Sequence, residues 1–136
     1  MRHFTAAGTY TDNTIMDANG VFLPDYKSAG RTVNFATATG GTLAINEATY
    51  YGRFTMFPFS FTASTSIPAY TNLAMINGTK YRPAADTNLY IVGGLAGQPK
   101  LMTMQVLKNG AIRCNQALTS GQTVVVELFW ISSFFD

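Results

Sequence analysis

Charge is what this sequence has least of: across 136 residues only 12% are Asp, Glu, Lys or Arg, while 47% are hydrophobic. Soluble domains commonly carry about 25% charged residues, so a lone subunit of this composition would be thinly ionised over its surface. The deficit implies surface that other subunits cover. Cysteine is almost missing as well. A single Cys114 excludes a disulfide within the chain, cannot by itself supply a zinc site, and reads as a small, half-buried strand residue. Histidine occurs once, at His3, so a Ser-His-acid or Cys-His arrangement would place its base on a peripheral stretch. The seven carboxylates (Asp12, Asp17, Asp25, Glu47, Asp86, Glu127, Asp136) are spread too widely to nominate a hydrolytic pair and read as solvated turn and rim groups. These absences argue against an enzyme, and no residue set calls for a cofactor or a metal.

Other classes fall on the same grounds. The formal charge of +2 comes from scattered residues with no basic cluster, which argues against nucleic acid as a partner. No secretory signal is expected, because Arg2 is followed by His3, Phe4 and a Thr/Gly-rich stretch where an apolar core would stand. The span Phe54 to Gly78 is uncharged and long enough to span a bilayer, but Pro58, Pro68 and its Ser, Thr and Asn residues argue against a membrane helix. A soluble product of the cytoplasm is the expectation. Gly93-Gly94-Leu95-Ala96-Gly97 is glycine-rich yet lacks the lysine and the strand-to-helix context of a phosphate loop, and reads as a loop between strands.

What is present is β sequence. Runs with apolar residues at three- and four-residue spacing do not occur, while Thr, Val, Ile, Phe and Tyr are distributed between Gly, Asn and Pro. Strands are predicted at Thr32 to Phe35, Thr42 to Asn46, Arg53 to Thr62, Tyr70 to Asn77, Asn88 to Val92, Lys100 to Leu107, Ala111 to Asn115 and Gln122 to Ile131. Asn109-Gly110 is predicted to join two of them in a hairpin. Alternation places Phe57, Phe59 and Phe61 on one face, the core. Pro58 cannot donate to a ladder, so its strand is expected to be an edge there or to bend at a bulge. The fold class is all-β, a small Greek-key β barrel or sandwich over residues 31–136, preceded by an N-terminal docking arm or hairpin over residues 1–30, where Asn19-Gly20 is a further turn signal. Phe54, Leu73, Ile91, Val106, Ile112, Val124, Val126 and Leu128 are assigned to core or subunit contacts. Glu127 interrupts an apolar run and has to face water, pair with an arginine or sit at a subunit boundary.

Aromatic and amide side chains are the remaining material for recognition, since sugars stack on Trp and Tyr while Asn, Gln and Arg satisfy hydroxyls; core packing is the competing account for Trp130. Ile67-Pro68-Ala69-Tyr70-Thr71, Asn72 to Ile76, Tyr81-Arg82-Pro83-Ala84, Asn109-Gly110-Ala111-Ile112, and Gly121-Gln122 leading to Leu128-Phe129-Trp130-Ile131 occur in that order. This succession, from about Arg53 to Ile131, resembles the C-terminal head domain of bacteriophage receptor-binding and tail-fibre (baseplate) proteins. The resemblance implies a Greek-key barrel that assembles as a homotrimer, with saccharide sites near the outer end or between subunits. It makes the chain a virion structural protein, made in the host cytoplasm, that binds host cell-surface saccharide and docks on other virion proteins through its N-terminal arm. Trp130, Tyr81, Arg82 and Arg113 are then the recognition residues: aromatic planes for a sugar face, guanidinium groups for hydroxyls or teichoic-type phosphates. Heads of this kind usually follow a coiled-coil or β-helical stalk, and this chain has neither heptads nor repeats. The alternative is a capsid or tail decoration protein, or head fibre, without glycan specificity.

Overall fold

Backbone alternation decides which side chains are buried, and the longest aromatic run shows it most directly. In the computed structural model, which describes residues 29–133, β5 spans Phe54–Ala63, and Phe57, Phe59 and Phe61 are all fully buried along one side of it. Phe59 and Phe61 stack with ring centroids 5.9 Å apart and Phe35 packs on Phe57 at 4.8 Å. Burying one such ring contributes roughly 1.5–3 kcal/mol, so this row anchors the core. The other strands are β1 (Gly30–Val33), β2 (Ala36–Ala38), β3 (Gly41–Leu43), β4 (Glu47–Tyr51), β6 (Ala74–Ile76), β7 (Thr87–Leu95), β8 (Gln98–Val106), β9 (Ala111–Cys114) and β10 (Thr123–Ile131), with one 3₁₀ turn at Thr79–Tyr81.

The strands form one antiparallel sheet in the order β1-β4-β5-β10-β7-β8-β9-β6-β2, with β3 also paired to β5. β7, β8 and β9 are successive neighbours and β10 returns to lie beside β7, which is the 4-1-2-3 order of a Greek key. The sheet curls on itself. β2 and β3 are separated only by Thr39 and Gly40, yet β2 pairs with β6 at the far end while β3 pairs with β5. Gly40 makes that corner at φ 75°, a conformation that favours glycine. Asn46 completes the corner: its side-chain amide donates to Ala36 O and accepts from Ala36 N, both at 2.8 Å, standing in for a ladder partner. The expected class, a small all-β barrel or sandwich, is what the chain forms.

Turn chemistry sets the hairpins. Asn109-Gly110 lies in the β8–β9 connection as expected, with Asn109 Oδ1 accepting from Ala111 N and Gly110 at φ 96°. The β7–β8 turn is Ala96-Gly97, both at positive φ, the pattern of a primed two-residue turn. Here the structure corrects the sequence reading. Gly93, Gly94 and Leu95 are not loop residues but the last three residues of β7, paired with Lys100, Pro99 and Gln98. The strand expected to end at Val92 therefore runs on, and β4, which no sequence signal marked, lies between β1 and β5 with only Ala48 buried.

Pro58 behaves as one of the two expectations for it required. On one side β5 pairs with β10, Pro58 opposite Glu127; on the other, β4 covers Phe54 to Met56 and β3 covers Phe61 to Ala63. Pro58 falls in the gap between them, an edge at that point, where a missing N–H costs no ladder bond. The N-terminal arm or hairpin, with His3 and Asn19-Gly20, and the terminal Phe134-Phe135-Asp136 lie outside the described residues.

Candidate functional site

Four of the stretches singled out in the sequence, Asn72 to Ile76, Tyr81 to Ala84, Asn109 to Ile112 and Leu128 to Ile131, meet in space, and what joins them is the connection between β6 and β7. After Ile76 the chain makes the 3₁₀ turn, with Tyr81 N donating to Gly78 O at 3.0 Å and Arg82 N to Thr79 O at 3.1 Å. Pro83 then holds Arg82 extended, φ −72° and ψ 152°, as a residue before proline should be. The Arg82 guanidinium folds back: Nε and Nη2 both donate to Ile76 O, at 3.0 and 2.8 Å. It crosses Gly110 so closely that a Cβ there would stand 2.5 Å from Arg82 Nε, so the glycine of the Asn-Gly hairpin is needed for this approach as well as for its φ.

The terminal aromatic strand closes the hub. Trp130 is 3% exposed, and its indole N–H donates to Tyr81 O at 2.7 Å while its ring lies 6.1 Å from that of Phe35. Ser133 N donates to Arg82 O and Ala84 N to Ile131 O, so residues 82–84 run alongside the end of β10. Arg53, on the other flank, donates through Nε to Ser132 O at 2.9 Å. Beyond Val124 and Val125, paired with Leu95 and Gly94, no further ladder pairs join β10 to β7, and the 82–84 segment occupies the opening.

Two clefts flank that segment. One, of about 420 Å³, is lined by Arg53, Thr79, Arg82, Pro83, Ala84, Lys108 and Ser133. Its wall has three cationic side chains and two hydroxyls and, among the described residues, no carboxylate; nearby, Asp86 Oδ1 accepts from Lys108 N at 2.7 Å. Arg82 and Lys108 form no ion pair among the described residues. The other, of about 410 Å³, is apolar and runs between Phe54, Leu89, Phe129 and Ile131 with Ala84 and Ala85.

The four sequence candidates thus have different fates. Arg82 lines the cationic cleft. Tyr81 is half-buried; its ring packs 5.9 Å from Phe35 and 5.3 Å from Tyr50, with the Lys80 ammonium 5.3 Å from its centroid. Trp130 is placed where the competing core account puts it, 3% exposed, and reaches the wall of the apolar cleft. Arg113 stands apart on the outward side of β9, opposite Gln105, with Nε donating to Asn72 Oδ1 at 2.6 Å, and lines neither cleft. Arg53, Thr79, Lys108 and Ser133 had no sequence signal: they come from four distant segments that only the curled sheet brings together. Glu127 faces outward, exposed, amid apolar neighbours.

That neighbourhood is the other notable surface. In ladder register, Phe54 lies opposite Ile131 and Met56 opposite Phe129 on the outer face of β5 and β10, and Val92 opposite Leu101 on that of β7 and β8; all are exposed. Tyr90, Val92 and Leu101 are 71%, 69% and 67% exposed. No protein-family model matches the chain, and no curated protein matches it in sequence.

Proposed function

We propose that this chain is a structural subunit of a bacteriophage particle that assembles as a homotrimer and stands at the tail tip or fibre, where it binds host-surface saccharide. The observation that carries the assembly part is the row of large apolar side chains on the outward face of β5, β10, β7 and β8, on a chain with 12% charged residues. Contiguous exposed apolar surface of this kind marks an interaction site. The phage part rests on the order of the motif pieces in the sequence. For the saccharide, Arg82 and the cleft around it are the site, with Tyr81 at its border.

Light scattering on the purified chain gives three times the subunit mass if this is right, and a single-chain mass at high concentration sinks it. Adsorption of the labelled trimer to host cells tests receptor binding. A trimer lacking residues 1–28 that fails to enter particles would place particle docking in that segment.

One observation favours the second reading, a decoration protein without glycan specificity. Trp130, the best stacking plane in the sequence, is closed off in the core. Under that reading a glycan array shows no binding while the trimer and its place on the particle persist.

A further inference from the structure

We infer that the apolar cleft between β10 and β7 receives the Val92–Leu101 ridge of a second copy, so that the contact between copies runs head to tail. The cleft exists because the two strands separate: their ladder pairs stop after Val124 and Val125, and Ala84 and Ala85 supply part of the wall beyond. Leu89 and Trp130, 8% and 3% exposed, form its floor. Its walls stand open. Phe54 and Phe129, with ring centroids 6.3 Å apart, are each 40% exposed, and Ile131 is 53% exposed. A dry apolar cavity of about 150 Å³ holds one benzene molecule, so a cleft of about 410 Å³ has room for a pair of aliphatic side chains.

The ridge has the complementary shape. Val92 and Leu101 face each other across the β7–β8 ladder on the side away from buried Met102 and Met104, and both protrude into solvent with Tyr90 beside them. Each copy carries both surfaces, and that decides the occupant. A small apolar molecule or an unrelated protein in the cleft would leave the ridge wet, whereas a second copy covers ridge and cleft in one contact. Two different patches meeting in this way make a heterologous contact, the kind that closes into a ring of three. Charge at the rims agrees. Glu127 stands on β10 two residues before Phe129 at the cleft wall, and Lys100 adjoins Leu101 on the ridge. Both are exposed, and neither belongs to an ion pair among the described residues. Seating the ridge in the cleft gives Glu127, an exposed acid in an apolar run, the ammonium of the next copy as its partner and sets the register of the contact.

This rests on the trimer reading and specifies its contact, and the two can fail separately. The test cross-links the full-length chain with a short bis-maleimide, the wild type with its buried Cys114 serving as the blank. Leu101→Cys combined with Ala85→Cys puts one thiol on the ridge and one on the cleft wall, both at exposed positions outside the core. Leu101→Cys with Phe129→Cys addresses another part of the wall. Either double variant is expected to give covalent trimers, a co-assembled mixture of the two single variants covalent dimers only, and each single variant alone no cross-link. Glu127→Lys is expected to raise the concentration at which the trimer half-dissociates by about fivefold or more, and adding Lys100→Glu to return it to within about twofold of the wild type, the coupling that two groups in contact show. Covalent dimers without trimers from the double variants, cross-linking in Leu101→Cys alone, or a Glu127→Lys loss that Lys100→Glu fails to repair overturns the inference. So does a trimer mass by light scattering in which neither double variant cross-links, which leaves the cleft to a small apolar molecule or a different protein. A single-chain mass instead removes the trimer reading, and the inference with it.

Discussion

At the scale of single residues, the clearest liability in the fold is Thr55. It is fully buried on β5 between Tyr50 and Trp130 in register, and its Oγ1 has no hydrogen-bond partner among the described residues. A buried hydroxyl left unpaired costs about 1–3 kcal/mol. Thr55→Val keeps the shape and removes the hydroxyl, so it should raise stability by about 1 kcal/mol, read as a higher urea midpoint with unchanged slope; a lower midpoint would show that the hydroxyl is satisfied after all. Cys114 gives a pH signature. Burial pushes its thiol up from the ordinary value, against a smaller lowering by the Gln116 N–H that donates to its Sγ. The folded chain therefore keeps that proton to higher pH than the unfolded chain, whose thiol ionises near about 8.5. Above that range the folded state binds more protons, and stability falls as pH rises. Tyr50 is raised too, first by desolvation and then by Tyr81, and adds to the same trend at still higher pH. Denaturation midpoints measured from neutral pH upward should fall less steeply in Cys114→Ala than in the wild type, and equal slopes would remove Cys114 from the account.

At the scale of strands, legibility followed local pattern and stopped where packing took over. Phe57, Phe59 and Phe61 were readable because alternation is a property of the strand itself, and Pro58 because a missing donor constrains any ladder. β4 was not, since Glu-Ala-Thr-Tyr-Tyr buries a single alanine and leaves no period to detect, although β1 and β5 pair with it on either side. Gly93-Gly94 was misread for a different reason: glycine signals a turn when judged alone, but here Gly93 is a close approach. A Cβ on it would stand 2.2 Å from Val126 Cγ1, 2.7 Å from Val125 O and 2.8 Å from Met102 Cε, while one on Gly94 would meet nothing nearer than 3.8 Å. Neither has a positive φ, so the difference between the two positions is steric alone. Gly93→Ala should therefore cost about 2 kcal/mol or more, as overpacking does, because Val125 O belongs to the backbone and cannot swing aside. Gly94→Ala should change stability by no more than about 0.5 kcal/mol. Paired denaturant curves measure the contrast, and equal costs would mean that the strands separate to accommodate the methyl group.

At the scale of the molecule, the site was the least legible part because nothing local assembles it. Arg82 could be named from its place before Pro83, but Arg53, Lys108 and Ser133 join it only after β5, the β8–β9 hairpin and the end of β10 have closed around residues 82–84. The low charge content, by contrast, was legible from composition and finds its counterpart in one outward face. Val92 and Leu101 are cross-strand neighbours there, each about two-thirds exposed, far from both the cationic cleft and the buried row. Because they protrude from a two-stranded ladder whose inner face is held by Met102 and Met104, replacing them does not touch the core. Val92→Lys with Leu101→Lys should thus leave the subunit folded, with the same circular dichroism, and place two ammonium groups in the contact proposed between copies. Desolvating an unpaired charge at such a contact costs several kcal/mol, more than enough to shift a trimer to monomers at micromolar concentration. Because association stabilises by mass action, the wild-type melting temperature should also rise with protein concentration while that of the double variant stays flat. A double variant that retains the trimer mass would move the subunit contact off this face of β7 and β8.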